Sequence, residues 1–192
     1  MQEKTLNDFT VPFSLKGVPQ AEHFVGHESE LEQIKQAFQG DGSERRIVVI
    51  HGLGGMGKTQ LALKYARQNK AKYSAIFWLN GRSVDLLKQS FVSVASQISD
   101  VDESPKLRSA IHSKDADIIV KSVRDCLSQR NNIKCLLIFD NVDDPKLPDV
   151  RDGAYVIRDY FPVPDTGHIL VTSRISDIRI GQRIRLRKLA ST

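Results

Sequence analysis

Residues 52–59 read Gly-Leu-Gly-Gly-Met-Gly-Lys-Thr and join the apolar run 46–50 to a helical pattern that begins at Thr59. The spacing is G-x-x-x-x-G-K-[ST], in which glycines let successive backbone N–H groups turn toward one phosphate. The N-terminus of the following helix adds a partial positive charge. We expect Lys58 to reach the β- and γ-phosphates and the Thr59 hydroxyl to ligate Mg²⁺. The further residues predicted to bind the cofactor here are Gly52, Gly54, Gly55, Met56, Gly57 and Gln60.

Outward from this loop, short apolar runs alternate with helical patterns. The runs RIVVI, SAIFWL, CLLIF and HILV begin at Arg46, Ser74, Cys135 and His168 and predict buried strands. RIRLR, from Arg183 to Arg187, predicts a fifth strand at or near an edge, with one solvated face. Because the four buried runs are apolar on both faces, we expect an α/β fold. It would have a five-stranded parallel sheet covered by helices on both faces.

Helices are predicted where apolar residues recur at spacings of three and four. The predicted helices begin at Glu28, near Thr59 and at Ser83, and a further one contains Ile119 and Val123. The polar segment 99–114 contains Pro105 and is predicted to be a loop. We expect residues 1–22 to form an extended lead-in and 23–192 to form the nucleotide-binding domain.

The composition excludes several classes of protein. A chain of 192 residues has about the length of one domain, and two cysteines are too few for a disulfide scaffold. The apolar runs are too short to span a bilayer, so we expect a cytoplasmic protein without a membrane partner. The net charge of +5 is scattered, apart from RIRLRK at 183–188, which is read as a solvated strand face. A nucleic-acid partner is allowed by this charge but not expected.

Polar residues follow two of the predicted strands. Asp140 ends CLLIF and is the expected acid for holding Mg²⁺, although it could instead cap a turn. Arg174 follows HILV and is placed to sense a γ-phosphate, or it is a surface arginine. Asp143 and Asp144 could assist water activation or be solvated acids of a turn. The predicted catalytic residues are therefore Lys58, Asp140 and Arg174, with Thr59 and Asp140 as metal ligands.

Five motifs in this order resemble the NB-ARC nucleotide-binding domain of STAND NTPases, a group of P-loop NTPases. They are FVGHESEL from Phe24, GLGGMGKT from Gly52, FWLN from Phe77, LLIFDNVDD from Leu136 and ILVTSR from Ile169. This group includes plant resistance proteins, apoptosome scaffolds and fungal NOD-like receptors. The sequence is most similar to fungal members, which often carry repeats downstream. The resemblance implies ATP or ADP as ligand, Mg²⁺ as cofactor and the strand order 5-1-4-3-2.

The resemblance also implies roles for single residues. Phe24 and Val25 match residues that meet the adenine base, whereas from the residues alone they could form a hydrophobic staple at a helix start. His27 stands where the family usually has arginine. Asn141 replaces the second acid that usually follows the strand ending at Asp140. An amide cannot accept a proton, so we expect hydrolysis to be slow or absent.

The function expected from the resemblance is that of a signalling switch, in innate immunity or programmed cell death, whose ATP or ADP occupancy controls assembly. The sequence ends at Thr192, before the helical and winged-helix subdomains of that family. We therefore expect an excised domain or the start of a longer receptor. Its partners would be its own downstream subdomains and repeats, and further copies in a nucleotide-dependent homo-oligomer. The alternatives are a turnover ATPase or kinase, and a nucleic-acid-linked regulatory ATPase.

Overall fold

A computed structural model describes residues 10–14, 18, 25–40, 44–129, 134–143, 156–163 and 166–187. Its centre is a five-stranded parallel sheet with the strand order β2-β3-β4-β1-β5. This is the predicted order, read from the opposite edge. The strands are β1 (Arg46–His51), β2 (Ala75–Asn80), β3 (Cys135–Asp140), β4 (His168–Ser173) and β5 (Gln182–Arg185).

The register of the sheet brings the carboxyl ends of four strands to one level. His51 pairs with Ser173, and Asn80 pairs with Asp140. The segments that follow β1, β2, β3 and β4 therefore emerge side by side along one edge, which we call the carboxyl edge. The opposite edge, where the strands begin, is called the amino edge.

The edge strand β5 has the predicted solvated face. Ile184 is buried while Arg183 and Arg185 are exposed. Leu186 continues the alternation, since it is buried and its N–H donates to the carbonyl of His51 at 2.7 Å. The basic and apolar alternation in the sequence thus corresponds to a strand with one face in the core.

Helices cover both faces of the sheet, as predicted. One face packs against α1 (Glu28–Ala37) and α2 (Lys58–Asn69), and its core includes Val48 and Ile50 of β1. The other face packs against three helices and includes Val49, the β1 residue that points the opposite way. Those three are α3 (Val84–Ser99), α4 (Pro105–Ser113) and α5 (Ala116–Leu127). None of the helices in the described ranges is long and apolar enough to cross a membrane.

The prediction of a loop over 99–114 was wrong, because α4 lies inside it. Ser104 caps the helix by accepting a hydrogen bond from the N–H of Leu107 at 3.5 Å, and Pro105 occupies the first turn. Proline is favourable there because the first N–H groups of a helix have no partner within the helix. Leu107 and Ala110 are buried against the core. Pro105 therefore marks the start of a helix rather than a loop.

Val11, within the predicted lead-in, contacts the body of the domain. It is buried in the core that contains α3, and its N–H donates to the carbonyl of Ser74 at 3.0 Å. This part of the chain therefore lies against the start of β2.

Three polar side chains, two buried and one half-buried, are connected by hydrogen bonds at the amino edge. The Tyr65 and Tyr73 hydroxyls are 2.7 Å apart, and the Tyr73 hydroxyl is 2.8 Å from Nδ1 of His168. Phe38 stacks on the His168 ring with centroids 4.6 Å apart. Burial, with smaller contributions from Arg46 and Lys72, lowers the pKa of His168 to about 4. The imidazole is therefore neutral at pH 7.

Candidate functional site

The loop between β1 and α2 forms the floor of the site. Gly57 precedes α2 with φ at 88°, a left-handed conformation that glycine adopts without a steric penalty. The chain turns there directly into the helix, whose first N–H groups have no partners within the helix. The first turn of α2 contains no acidic residue. This arrangement suits an anion, because the helix N-terminus carries partial positive charge.

Lys58 is held inside this loop. Its side-chain Nζ donates to the carbonyl oxygens of Gly52 and Leu53, both at 2.8 Å, and the residue is only 8% exposed. Burial lowers the pKa of Lys58 from its ordinary value, Asp143 opposes this shift and Arg174 adds to it. A buried ammonium on neutral carbonyls gains from an anion that can accept its hydrogen bonds. The loop is thus arranged to receive a phosphate.

Asp140 at the end of β3 lies in a network of side-chain hydrogen bonds. The hydroxyls of Thr59 and Thr172 donate to its Oδ1 at 2.9 and 2.5 Å, and Nδ2 of Asn141 donates to its Oδ2 at 3.1 Å. Burial raises the pKa of Asp140 above its ordinary value, while the two hydroxyls oppose the shift. These contacts orient the carboxylate toward the start of α2.

The oxygens of Thr59 and Asp140 fit a magnesium ion. Mg²⁺ prefers hard oxygen ligands and usually binds through one or two protein side chains together with phosphates and water. The two oxygens are 2.9 Å apart, and the Asp140 side chain is 3% exposed. A cation here would offset the cost of burying the carboxylate. When bound, Mg²⁺ would supply positive charge to the phosphate oxygens next to these residues.

Arg174, after β4, is held by Asp143, after β3. Its Nε is 2.7 Å from Oδ2 of Asp143, and its backbone N–H donates to Oδ1 at 2.6 Å. The arginine side chain remains 64% exposed, whereas that of Asp143 is 15% exposed. Asp143 therefore neutralises and positions Arg174, and its carboxylate is engaged in this contact.

These groups surround a cavity of about 510 Å³ between the loop and the carboxyl edge. The residues that line it are Gly54, Gly55, Gly57, Lys58, Thr59, Gln60, Arg82, Asn141, Asp143 and Arg174. The structure thus brings most of the predicted site residues together around this cavity. Asp140 does not line it but accepts a hydrogen bond from Thr59, which does. The predicted cofactor-binding and catalytic roles are themselves hypotheses that the contacts support.

Some of the predicted site residues lie elsewhere. Gly52 and Met56 do not line the cavity. A Cβ on Gly52 would lie 2.9 Å from the carbonyl oxygen of Leu186 and 3.2 Å from Sδ of Met56. Val25 does not line the cavity and is 76% exposed. Phe24, predicted to meet the base, lies outside the described residues, as does Asp144.

Two features of the site are not predicted from the sequence. Arg82, in the turn after β2, lines the cavity, although FWLN was noted only as a family motif. It could have been found from its position after a buried strand, because ligands collect at this edge of open α/β sheets. Asn141 adopts a left-handed conformation with φ at 62°. Its amide supports Asp140, a contact that residue spacing does not reveal.

The sequence is similar to a known protein family and to a fungal protein. Residues 23–151 match the profile of the AAA ATPase domain family. Over 178 residues the chain is 32% identical to a "Nucleotide-binding leucine-rich repeat (NLR)-like protein" of Hyaloscypha variabilis, a match that covers 86% of this chain and 16% of the relative.

A solved structure shows the same fold, and a second one is similar at a lower score. The crystal structure of Cdc6p from Pyrobaculum aerophilum has a TM-score of 0.53 and 17% identity, covering 90% of this chain and 48% of that protein. The Aeropyrum pernix ORC2 protein has a TM-score of 0.44 and 19% identity, covering 86% of this chain and 50% of that protein. The chain spans about half of each of these structures and a far smaller part of the fungal relative.

Proposed function

Because the chain belongs to the AAA ATPase domain family, we propose that it is an ATP- and ADP-binding switch domain of the NB-ARC type, with slow hydrolysis. The observation that carries the proposal is the cavity at the carboxyl edge. There Thr59, at the end of the phosphate loop, donates a hydrogen bond to Asp140. The residue after Asp140 is the amide Asn141 rather than a second acid.

The nucleotide phosphates are assigned to the loop and the first turn of α2. Lys58 supplies a positive charge, and backbone N–H groups from Gly54 to Thr59 supply neutral donors. The two walls of the cavity carry basic side chains suited to a polyphosphate. Phe24 and Val25 are assigned to the adenine base on the resemblance of FVGHESEL alone, and Mg²⁺ is assigned to Thr59 and Asp140.

Two contacts support a switch rather than a turnover enzyme. Nδ2 of Asn141 donates to Asp140, and an amide can orient a water molecule but cannot take its proton. Asp143, the other acid on this wall, is engaged with Arg174. Among the described residues that line the cavity, the carboxylate of Asp143 is paired with a basic side chain. None of these residues therefore offers an unpaired carboxylate as a general base.

The role as part of a receptor is supported by the order of the five motifs and by the fungal NLR-like relative. That relative is about six times longer than the matched region, since only 16% of it is covered. We propose that the domain acts in the cytoplasm with downstream subdomains and repeats, in innate immunity or programmed cell death. Assembly into a homo-oligomer would depend on the bound nucleotide.

The test is a calorimetric titration with ATP, ADP and GTP, with and without Mg²⁺, together with a steady-state hydrolysis assay. We expect both adenine nucleotides to bind, GTP to bind more weakly, and hydrolysis below roughly one turnover per minute, against about 10 per second for a median enzyme. Absence of ATP and ADP binding would remove the proposal, and equal GTP affinity would remove its adenine part. A rate near one per second would identify a turnover ATPase. Salt-sensitive binding of an oligonucleotide would favour a nucleic-acid-linked ATPase.

A further inference from the structure

Arg82 is the basic side chain of the cavity for which the described residues supply neither an acidic partner nor a side-chain hydrogen bond. Arg174 is paired with Asp143 at 2.7 Å, and Lys58 donates to two loop carbonyls. No carboxylate among the described residues lies within salt-bridge distance of Arg82, whose side chain is exposed at the cavity wall. Its charge is therefore available to a bound anion.

The turn that carries Arg82 is tied firmly to the end of β3. The N–H of Gly81 donates to the carbonyl of Asp140 at 2.7 Å, and the N–H of Arg82 donates to Oδ1 of Asn80 at 3.1 Å. A Cβ on Gly81 would lie 2.5 Å from Cγ2 of Val142, so the two segments approach as closely as glycine allows. The backbone of Arg82 is consequently positioned relative to Asp140.

The position of Arg82 relative to the phosphate loop follows from the sheet order. Two strands, β3 and β4, separate β2 from β1, which places the ends of β2 and β1 about 14 Å apart at about 4.8 Å per strand. The loop after β1 holds the phosphates nearest the nucleoside. The oxygens assigned to Mg²⁺, those of Thr59 and Asp140, lie at the end of β3, beside β2. We therefore assign the phosphate farthest from the nucleoside to this side of the cavity, which Arg82 lines.

We propose that Arg82 binds the terminal phosphate of ATP and so lets the domain distinguish ATP from ADP. A guanidinium can donate two parallel hydrogen bonds to phosphate oxygens, and such charge-assisted bonds are stronger than neutral ones. ADP has no phosphate at this position and would not make the contact. The inference rests on the proposed nucleotide site and adds to it the residue that reads the nucleotide state.

The experiment compares the wild type, Arg82→Ala and Arg82→Lys by calorimetric titration with Mg²⁺-ATP and with ADP. Arg108→Ala is the matched control, because Arg108 is an exposed arginine on α4 that pairs with Glu103. We expect Arg82→Ala to weaken ATP binding about tenfold, equivalent to about 1.4 kcal/mol, and to change ADP binding less than about twofold. Arg82→Lys should restore part of the loss in ATP binding, since a lysine keeps the charge but not the paired donors.

The outcomes separate this inference from the proposed function. If the wild type binds neither nucleotide, the proposed function fails. If the wild type binds both and Arg82→Ala binds ATP normally, or loses ATP and ADP affinity equally, Arg82 does not read the terminal phosphate. Melting temperatures of the unliganded variants within about 2 °C of the wild type would show that any selective loss arises at the site rather than from unfolding.

Discussion

The two edges of the sheet both contain polar side chains that are largely removed from water, but they differ in charge. At the amino edge, Tyr65, Tyr73 and His168 are neutral at pH 7 and form hydrogen bonds with one another. At the carboxyl edge, the ionised forms of Lys58 and Asp140 carry opposite charges, and burial lowers the pKa of Lys58 and raises that of Asp140. The amino edge is joined by hydrogen bonds among neutral groups, with Nε2 of His168 unpaired among the described residues, whereas the carboxyl edge holds ionisable groups against a desolvation cost.

We infer from this difference that ligand binding and stability depend on opposite edges of one sheet. A neutral, hydrogen-bonded cluster stabilises the fold without a ligand, because its members form hydrogen bonds with one another and carry no charge to desolvate. Buried charges contribute little to stability by themselves, since their desolvation offsets their attraction. They become favourable when a ligand of opposite charge arrives. Substitutions at the carboxyl edge should therefore change binding, and substitutions at the amino edge should change stability.

The largest effect is expected from Lys58→Ala. Loss of the ammonium removes a charge-assisted contact to phosphate worth about 1.5–3 kcal/mol, which corresponds to roughly 10- to 100-fold weaker nucleotide binding. The carbonyls of Gly52 and Leu53 lose a donor, but the fold should remain because the core is untouched. Calorimetric titration measures the affinity, and a circular dichroism melt measures the stability.

Lys64→Ala is the control for this variant, since Lys64 lies on the same helix and pairs with Glu28 at the surface. It should leave nucleotide affinity unchanged. A folded Lys58→Ala protein with wild-type affinity would show that the loop does not bind phosphate.

At the amino edge, His168→Phe should alter the pH dependence of stability. The folded-state pKa of His168 is about 4, below its ordinary value of 6.5, so the unfolded chain takes up a proton first as the pH falls. The wild type should then lose about 2 kcal/mol of unfolding free energy between pH 7 and pH 5 through this group. Phenylalanine does not titrate, and Tyr73 keeps its contact with Tyr65.

Urea denaturation of both proteins at pH 7 and pH 5 measures this difference. His112→Gln serves as the control, because His112 is exposed on α4. If His168→Phe and the wild type lost the same unfolding free energy between pH 7 and pH 5, His168 would have its ordinary pKa in the folded state. We expect the two proteins to bind nucleotide with equal affinity at pH 7.

The smallest effect is expected from Asp140→Asn. The amide keeps an oxygen acceptor for the hydroxyls of Thr59 and Thr172 but removes the negative charge that would hold Mg²⁺. We expect Mg²⁺-ATP affinity to fall about tenfold, while ADP binding in EDTA is unchanged. Titrations under the two conditions provide the measurement.

The exposed Asp85, in the first turn of α3, offers the matched substitution Asp85→Asn. It should change neither titration. An equal loss of affinity with and without metal in Asp140→Asn would assign Asp140 to loop structure rather than to Mg²⁺.

Most of the fold could be predicted because its signals are local. The runs that form β1 to β4 are apolar on both faces, and strands alternating with helical patterns in this way are typical of a parallel sheet covered by helices. Helix α4 was missed because Ser104 and Pro105 occur in turns and at helix starts alike. The helix is favoured over a turn by the burial of Leu107 and Ala110, which depends on neighbouring helices.

The site was predicted in part for the same reason. The cavity residues Gly54, Gly55, Gly57, Lys58, Thr59 and Gln60 come from one short stretch, so their shared position follows from one loop and one helix start. Asp140 and Arg174 could be added because each follows a recognisable strand. Arg82 and the contact of Asp143 with Arg174 join segments far apart in the chain, and no spacing rule relates them.

By itself, the sequence determined the phosphate loop, the parallel sheet and the acid and arginine that end two of its strands, because periodicity and glycine spacing are properties of the local chain. Only the tertiary structure decided which charges are paired. Asp143 neutralises Arg174, Asn141 supports Asp140, and Arg82 faces the cavity without an acidic partner among the described residues. The reason is that Coulomb and hydrogen-bond energies depend on distances in space, and strand order and register bring these segments together.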